Sequence, residues 1–448
     1  MEDFFDPPPT ALSPAEQPPY SGWPLPHRIV FRFLFCYFLL YSLPENGRVS
    51  FVSLIPGVAF LSRAYIAAWH ALVPWVAIHI FHLSGPVTTY FRTGSGDTTL
   101  DYIQNLSYLA FALGATLIWS LADYRRKDYS YLHSWLRVLV RYTLLFTLFG
   151  YGFAKIFPLQ FRPPRFSQLI EPFGEFSPMG VLWKFMGTST AYIIFSGAAE
   201  ITGGLLLLFR RTTTLGAMVS FAVLLNVMVL NFCYDVPVKL YSMNLVLMAV
   251  FLVASELRRL LNVFVLNRPA APADLSMPSF RRRWIRVTAI AFQVLFVGYF
   301  LVYSVASGWI AYRRNYVNPA WPPLYGLYEA ESVNRNGQDL APLVTDATRW
   351  RKVAIESPSF INVRMMDDSP QIYGTDYDTT RNIVTLTMSA DPSKRYPLTY
   401  LRPDADHVLL QGTLAGDNLS IRLRKIDTTK FLLVNRGFHW ISETPYNR

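Results

Sequence analysis

The amino-acid sequence predicts a membrane all-α helical bundle of about eight transmembrane helices, followed by a small antiparallel β-barrel or sandwich domain. Of the 448 residues, 52% are hydrophobic and 16% are aromatic, and the mean hydropathy is positive, which is unusual for a soluble protein. The hydrophobic residues gather in eight long runs, most of which can cross the roughly 30 Å hydrocarbon core of a bilayer as helices. Beyond residue 307, apolar and polar residues alternate with period two, as is typical of β-strands.

Eight apolar runs predict the membrane helices. They are Ile29–Leu43, Tyr65–Phe81, Tyr102–Leu121, Trp135–Phe157, Ala191–Phe209, Thr214–Tyr234, Leu240–Ser255 and Val287–Ser307. A further run, Val49–Ser62, is short and contains Pro56. We expect it to form a re-entrant or surface segment, although a crossing there would make nine spans.

The basic residues predict the orientation of the bundle. They are concentrated in three loops, which carry Arg125 to Lys127, Arg210-Arg211, and the arginines between Arg258 and Arg286. Cytoplasmic loops of membrane proteins are enriched in lysine and arginine. We therefore expect a multi-pass membrane protein with its C-terminal domain outside the cytoplasm.

Two groups of basic residues oppose this orientation. Arg28 and Arg32 precede or open the first run and favour a cytoplasmic N-terminus. Arg162, Arg165 and Lys184 lie between the fourth and fifth runs, in a loop that the same orientation places outside. The side of the N-terminus is therefore undecided at the level of the sequence.

Composition divides the chain into three parts. Residues 1–26 are rich in proline and poor in aliphatic residues, which predicts a disordered tail. Residues 27–309 form the membrane domain, in which a linker of loop composition at 266–283 precedes a last span at 284–307. Residues 310–448 form the external β-domain.

The β-domain is expected to contain seven to nine short strands, enough for a small antiparallel barrel or sandwich. Ala415–Asn418 predicts a four-residue hairpin loop between two of them. A barrel of this size either encloses a lipocalin-like ligand cavity or has a solid core. Six of the expected strands are assigned to particular runs: Arg349–Glu356, Phe360–Met365, Ile383–Met388, Val408–Leu414, Leu419–Ile426 and Phe431–Asn435.

Charge and cysteine content exclude several classes of function. Residues 1–307 contain 24 Lys and Arg against 15 Asp and Glu, whereas residues 308–448 contain 17 against 15. The basic excess lies in the membrane part, where it sets topology and contacts anionic lipid, so we expect no nucleic-acid partner. Cys36 and Cys233 form no CxxC pair, and no carboxylate is spaced for metal ligation beside the histidines. We therefore expect neither a thiol redox centre nor a metal site.

Glu200 is the leading candidate for a functional residue, because it lies near the middle of an otherwise uncharged span. A carboxylate inside a membrane is costly unless it is paired, so we expect it to face the bundle with Arg141 or Lys155 as its partner. The small residues around it allow a close approach of helices. Proton handling or headgroup binding is the functional interpretation, and Asn226 and Asn244 would extend the polar track. A buried structural ion pair is the alternative.

Tyr151 and Lys155 lie at the predicted external end of the fourth span. They are four residues apart and therefore share one helix face. Lys155 is expected to act with Glu200 in catalysis, and Tyr151 to contribute to ligand binding. In the alternative interpretation, Lys155 extends its ammonium to the membrane interface.

Asp97 lies in a glycine-containing loop that opens the third span. Backbone amides at the start of a helix can hold an anion, which makes Asp97 and its loop a candidate ligand site. The alternative is structural: Asp97 or Thr98 caps the helix, and Asp101 complements its dipole.

Three more charged residues lie in loops at the same predicted face. Glu175 belongs to an external loop with two carboxylates, and Asp235 and Lys239 flank Pro237 between the sixth and seventh spans. Asp235 and Lys239 either pair with each other or face Lys155 and Glu175 across one shared cleft. In the second case Asp235 would be catalytic, and Lys239 and Glu175 would bind ligand.

The residues from Glu200 to Leu208, followed by Arg210-Arg211, resemble the third helix of the four-helix module of the DoxX/DoxD-like membrane family. Gly150–Lys155 and Asn226–Asp235 fit the same module, which would cover about residues 135–262. The earlier spans and Gly94–Asp97 look distantly like the HTTM region of vitamin K-dependent carboxylase-type proteins. The C-terminal strands resemble no family.

The DoxX-like family includes the small membrane subunit of thiosulfate:quinone oxidoreductase and partners of redox or detoxification complexes. The resemblance therefore implies a quinone- or lipid-facing role in a bacterial inner membrane, with the C-terminal domain on the periplasmic side. This chain differs from simple members by its extra spans and its β-domain. It also has no paired cysteines, so sulfur chemistry would reside on a partner.

Three functions follow as hypotheses. In the first, the chain is a subunit of a membrane oxidoreductase that binds quinone near Glu200, Lys155 and Asp235. In the second, the bundle binds or transports a lipid or small molecule that the external β-domain receives. In the third, the β-domain docks a periplasmic partner in assembly or stress response.

Overall fold

The computed structural model describes residues 22–43, 59–85, 87, 94–272, 282–388 and 391–447. They belong to two compact units. Residues 1–150 and 199–297 contribute to the first, which we call the helical unit, and residues 151–198 and 298–448 form the second, the barrel unit. Most of the predicted disordered tail, most of Val49–Ser62 and the middle of the predicted linker lie outside the described residues.

A helix forms at each of the eight predicted runs, which confirms the predicted helical bundle. Four shorter helices accompany them. In chain order the helices are α1 (Leu25–Ser42), α2 (Ala59–His79), α3 (Thr99–Ala122), α4 (Ser130–Ile156), α5 (Phe166–Leu169), α6 (Pro178–Thr188), α7 (Thr190–Leu208), α8 (Thr213–Cys233), α9 (Lys239–Ala254), α10 (Leu257–Phe264), α11 (Arg283–Tyr312) and α12 (Leu432–Asn435).

Among the described residues, five helices are long and apolar enough to cross a bilayer: α3, α4, α7, α8 and α11. Helices α9 and α10 make a sixth candidate if they are taken as one span that bends by 71°. Helix α1 has only 18 residues and begins with polar His27 and Arg28, and α2 contains Pro74. The predicted total of eight spans stays a prediction.

Small residues bring the helices of the helical unit close together, as predicted for the surroundings of Glu200. A Cβ atom at Gly204 of α7 would lie 2.7 Å from the ring of Phe149 on α4. At Gly216 of α8 it would lie 2.7 Å from the backbone nitrogen of Leu207 on α7. Close backbone approach of this kind stabilises helix pairs in hydrocarbon, where there is no hydrophobic driving force between helices.

A buried polar network joins α1 to the end of α3 and to Tyr129, the residue before α4. The guanidinium of Arg32, only 1% exposed, donates to the hydroxyls of Tyr129 at 2.7 Å and Ser120 at 2.8 Å and to the carbonyl of Asp123 at 3.0 Å. The Tyr129 hydroxyl donates in turn to the Asp123 carboxylate at 3.0 Å. Sequence reasoning treated Arg32 only as a topology signal, whereas the structure makes it a structural cation.

Asn244, which was predicted together with Asn226 to extend the polar track of Glu200, is fully buried in α9. Its side-chain oxygen accepts a hydrogen bond from Tyr37 of α1 at 2.5 Å, and its amide donates to the carbonyl of Leu240. Tyr37 also lies 3.1 Å from the amide oxygen of Asn105 on α3. The residue thus joins three helices inside the helical unit.

The C-terminal part is a closed antiparallel barrel of eight strands, which confirms the barrel alternative of the prediction. The strands pair in chain order, and the first, β1, closes the barrel by pairing with the last, β9. A two-residue strand, β2, pairs only with β1. The strands are β1 (Gly326–Arg335), β2 (Gln338–Asp339), β3 (Trp350–Ile355), β4 (Phe360–Met365), β5 (Pro370–Asp378), β6 (Ile383–Met388), β7 (Asp391–Leu401), β8 (His407–Leu414) and β9 (Asp417–Lys425).

Apolar side chains fill the inside of the barrel. Val353, Leu386, Leu398, Leu423 and Trp350 are each at most 2% exposed and belong to one continuous core. Eight strands make a barrel just wide enough for side chains to fill. The core described here favours the solid interior over the lipocalin-like cavity.

Two local predictions in the barrel need correction. The hairpin loop between β8 and β9 has two residues, Ala415 and Gly416, because Leu414 already pairs with Asp417. Both loop residues have positive φ, which matches the twist of the flanking strands. Phe431–Asn435, predicted as a strand, contains the helical turn α12, and the barrel closes by pairing β1 with β9.

Burial raises the pKa of Tyr377, on β5, from its usual 10 to about 12. The folded protein therefore retains the phenol proton at pH values where the unfolded chain releases it, so stability falls as the pH rises from 10 to about 12. We expect a loss of about 2–3 kcal/mol over this range, and a weaker pH dependence for Tyr377→Phe, measured by urea unfolding of the full chain in neutral detergent.

The exposed Tyr446→Phe is the matched control, since Tyr446 is 41% exposed. Its unfolding profile should follow that of the unsubstituted protein. Identical alkaline profiles for all three proteins would show that Tyr377 does not cause the loss.

Candidate functional site

Asp97, a predicted ligand residue, caps a helix other than the one it precedes. Its carboxylate accepts hydrogen bonds from the backbone amides of Lys239 at 2.8 Å and Leu240 at 3.0 Å, in the first turn of α9. Its side chain is only 7% exposed. Thr98 and Asp101 form a capping box at the start of α3, as the structural alternative expected. Both oxygens of Asp97 thus fasten this loop to α9.

Asp235 and Lys239 pair with each other, which was one of the two alternatives that the sequence left open. The Lys239 Nζ lies 2.7 Å from the Asp235 carboxylate and 3.7 Å from that of Asp97. Asp235 has a positive φ and an 83% exposed side chain. The shared cleft with Lys155 and Glu175, both in the barrel unit, stays a prediction.

Glu200 is buried in α7, with only 3% of its surface exposed. Arg141, one of its two predicted partners, forms no ion pair with a carboxylate in the described residues; its Nη1 lies 3.5 Å from the Thr213 hydroxyl. A pairing of Glu200 with Lys155 stays a prediction. Asn226, expected on the same polar track, is exposed on α8.

Tyr151 and Lys155 share a helix face, as predicted. The Lys155 Nζ lies 5.7 Å from the centroid of the Tyr151 ring, a cation–π contact. Lys155 is buried, at 6% exposure, which disfavours the interpretation that its ammonium extends to the membrane interface. Gly197 of α7 allows this packing, because a Cβ there would lie 2.8 Å from the Cβ of Lys155.

Glu175 contacts the barrel. Its carboxylate accepts a hydrogen bond from Arg364 of β4 at 2.7 Å, and Arg364 also donates to the Asp368 carbonyl. A second contact nearby joins α5 to the end of β3, where the Ser167 hydroxyl donates to Glu356 at 2.5 Å. These two contacts fix the segment after α4 against the barrel within one unit.

The chain from the end of α4 to α6 forms a polar pocket of about 370 Å³. It is built where α4 ends: Pro163 and Pro164 keep the chain extended, and α5 and α6 follow. Trp183 packs edge-on against Phe161, with ring centroids 5.1 Å apart. The lining residues are Gln160, Arg162, Pro163, Arg165, Gln168, Trp183 and Lys184, and we call this site the cationic pocket.

The lining of the cationic pocket is positively charged. Three of its lining residues are cations and none is a carboxylate. Lys184 lies 3.5 Å from Glu171 and over the ring of Phe176, but within the described ranges the guanidinium groups of Arg162 and Arg165 form no ion pair. The Gln160 Oε1 is buried without a hydrogen-bond partner there. The guanidinium and ammonium donors of the pocket suit an anion, whereas the Gln160 Oε1 is an acceptor.

Comparison of the chain with known proteins gives a similarity to one bacterial protein. No family model matches the chain, and no solved structure matches it. The protein YwoB of Bacillus subtilis (strain 168), which is uncharacterized, is 31% identical over 133 residues. That alignment covers 28% of this chain and 79% of YwoB. The chain belongs to the YwoB family.

For this member of the YwoB family, sequence reasoning missed the cationic pocket. It recognised Arg162, Arg165 and Lys184 only as exceptions to the predicted orientation. The exception could have indicated the pocket, because basic residues in a loop predicted to lie outside the cytoplasm are not explained by the positive-inside rule. The described part of the chain holds no group of three His, Cys, Asp or Glu side chains that could hold a metal ion.

Proposed function

We propose that this chain is an integral membrane protein that binds an amphiphilic ligand through an anionic headgroup in the cationic pocket. The observation that carries the proposal is the pair of guanidinium groups, Arg162 and Arg165, that line the pocket without a partnering carboxylate in the described residues. An anion would supply the charge complement that these residues do not provide at this site.

The position of the pocket supports an amphiphile over a soluble anion. Its lining begins four residues after the end of α4, a helix that is long and apolar enough to cross a bilayer. Headgroups lie at this depth, and Trp183 is of the residue type that is enriched there. Pockets for whole drug-like ligands are mostly apolar, whereas this lining is mostly polar. It therefore fits a headgroup, with the acyl chains left in the bilayer.

The barrel has a supporting role in this proposal. Its filled interior offers little room for a ligand, so the ligand binds outside it. Glu356 and Arg364 hold Ser167 and Glu175, and of the lining residues Gln168 lies between these two contacts. With the orientation that the basic loops predict, the pocket lies at the periplasmic face of a bacterial inner membrane.

A quinone-binding redox component is the second candidate, favoured by the burial of Glu200 inside an apolar helix. A buried carboxylate in a membrane helix suits proton uptake beside a quinone. The DoxX-like resemblance points to the same function. In this case the site would depend on Glu200, not on Arg162 and Arg165.

One experiment separates the two candidates. The full chain is purified from bacterial membranes in mild neutral detergent, and the bound small molecules are identified by mass spectrometry. The variants are Arg162→Gln with Arg165→Gln, and Glu200→Gln. The control is Arg313→Gln with Arg314→Gln, an equal loss of charge at two exposed arginines of the same unit.

We expect a bound anionic amphiphile in the unsubstituted protein and in the control, and at least a tenfold loss in the Arg162 and Arg165 variant. Equal amounts in all proteins would contradict the proposal. Quinone that is lost only with Glu200→Gln would establish the redox candidate instead.

A further inference from the structure

Arg141, in the helical unit, is a buried arginine that is not part of the cationic pocket and has no paired carboxylate in the described residues. Its side chain is only 6% exposed, and its Nε and Nη2 have no hydrogen-bond partner among the described residues. The hydroxyl of the adjacent Tyr142 is also buried and has no hydrogen bond within 3.5 Å in the described residues, but it interacts electrostatically with the Arg141 guanidinium, whose carbon lies 5.1 Å from the Tyr142 ring. Buried donors without partners are rare and a buried unpaired charge is costly.

The unpaired guanidinium lies at the start of a long helix. Its third nitrogen, Nη1, lies 3.5 Å from the hydroxyl of Thr213, the first residue of the 21-residue α8. The N-terminus of such a helix carries a partial positive charge and attracts anions. Thr212, at the N-cap, does not cap α8 with its side chain, because its hydroxyl donates to the carbonyl of Leu206 at 2.7 Å.

The surrounding charges add to this positive potential. Arg210 and Arg137 disfavour the charge of Arg141 electrostatically, whereas Tyr142 favours it more strongly than either disfavours it. Glu256, the nearby carboxylate, lies 3.4 Å from Arg137 and 3.5 Å from Arg259 and forms no ion pair with Arg141. The site thus combines the buried guanidinium of Arg141, the N-terminus of α8 and the exposed Arg210. Neither arginine has a paired anion in the described part of the chain.

We propose that Arg141 binds a phosphate group against the first turn of α8, with Arg210 at the exposed side of the site. The phosphate oxygens would accept from Nε and Nη2 of Arg141 and from the Tyr142 hydroxyl. Guanidinium and phosphate match in this two-pronged geometry. Either a phospholipid headgroup or free phosphate would supply the group. This site is separate from the cationic pocket and does not depend on its proposed function.

The test uses the full chain in neutral detergent, with Arg162→Gln and Arg165→Gln present in every protein so that the cationic pocket does not contribute. The probes are dioleoylphosphatidylglycerol, inorganic phosphate, and dioleoylglycerol, which has the same acyl chains without phosphate. Binding is measured by native mass spectrometry, and the unfolding temperature by circular dichroism. The variants are Arg141→Gln and Arg141→Lys, with the exposed Arg258→Gln as the charge-matched control.

We expect dioleoylphosphatidylglycerol to bind at least tenfold more weakly to Arg141→Gln than to the protein that retains Arg141. Its affinity for Arg141→Lys should be intermediate, because lysine keeps the charge but lacks the two-pronged donor geometry of the guanidinium. Arg258→Gln should stay within twofold. The phospholipid should raise the unfolding temperature of the protein that retains Arg141 and not that of Arg141→Gln. The same pattern with inorganic phosphate would identify free phosphate as the source.

Equal binding of the phospholipid to the protein that retains Arg141 and to the Arg141→Gln variant would overturn the proposal. Equal effects of dioleoylglycerol and dioleoylphosphatidylglycerol would also overturn it, because the phosphate would then contribute nothing. If Arg141→Gln does not fold, Arg141→Lys and the comparison of the two lipids on the protein that retains Arg141 still decide the question.

Discussion

Replacing Arg32 by alanine is expected to lower the free energy of unfolding of the full chain by about 3–5 kcal/mol, the range for breaking a buried ionic network. The guanidinium is 1% exposed and donates to Tyr129, Ser120 and the Asp123 carbonyl. Its removal leaves these acceptors, and the carboxylate that Tyr129 bonds, with fewer partners in a buried environment. It also leaves a cavity between α1, α3 and α4.

The matched control is Arg28→Ala, one turn earlier on α1. Arg28 makes one exposed hydrogen bond from its side chain, to the Arg126 carbonyl at 2.8 Å, so its loss should cost about 1 kcal/mol or less. Chemical unfolding in neutral detergent, followed by circular dichroism, measures both variants. Equal losses for the two would mean that the Arg32 network does not stabilise the fold.

Replacing Asp97 by alanine is expected to lower the free energy of unfolding by about 2–3 kcal/mol, because it removes a partly buried helix cap with two charge-assisted hydrogen bonds. The amides of Lys239 and Leu240 would lose their acceptor, and the loop before α3 would lose its attachment to α9. The same unfolding measurement in neutral detergent, followed by circular dichroism, gives the loss.

Asp235→Ala is the informative comparison, since Asp235 shares the same lysine but its side chain is 83% exposed. An exposed ion pair contributes about 0–1 kcal/mol, so this variant should remain close to the unsubstituted protein. Asp97→Ala that loses bound ligand while keeping its stability would instead support the earlier interpretation of Asp97 as a ligand residue.

The arrangement of elements along the chain was predictable because it depends on local pattern. Each of the eight apolar runs is a helix, and β4 (Phe360–Met365) and β6 (Ile383–Met388) have the bounds that alternation predicted. Hydrophobic periodicity reports directly on which face of an element is buried. No individual run was assigned at β1, β5 or β7. Phe431–Asn435 is apolar enough for a strand, but the barrel closes through β1 and β9 without it.

The candidate sites were less predictable, because they depend on partners that are distant in sequence. Asp97 was recognised as a capping residue, but the helix it caps begins 142 residues later. Glu175 was expected at a ligand cleft, and its partner Arg364 is 189 residues away. Pairing at such separation follows from the packing of helices and strands, and no spacing rule within one segment encodes it.

The sequence by itself determined that this protein has a helical bundle of apolar spans followed by an antiparallel β-domain, because both follow from the local period of hydrophobic residues. Only the tertiary structure decided which charged side chains are neutralised by the chain. It pairs Asp97, Asp235 and Glu175 within the protein, and it leaves Arg141, Arg162 and Arg165 without a paired carboxylate in the described residues. Charge complementarity depends on distances of a few ångströms between residues far apart in sequence, and those distances exist only after folding.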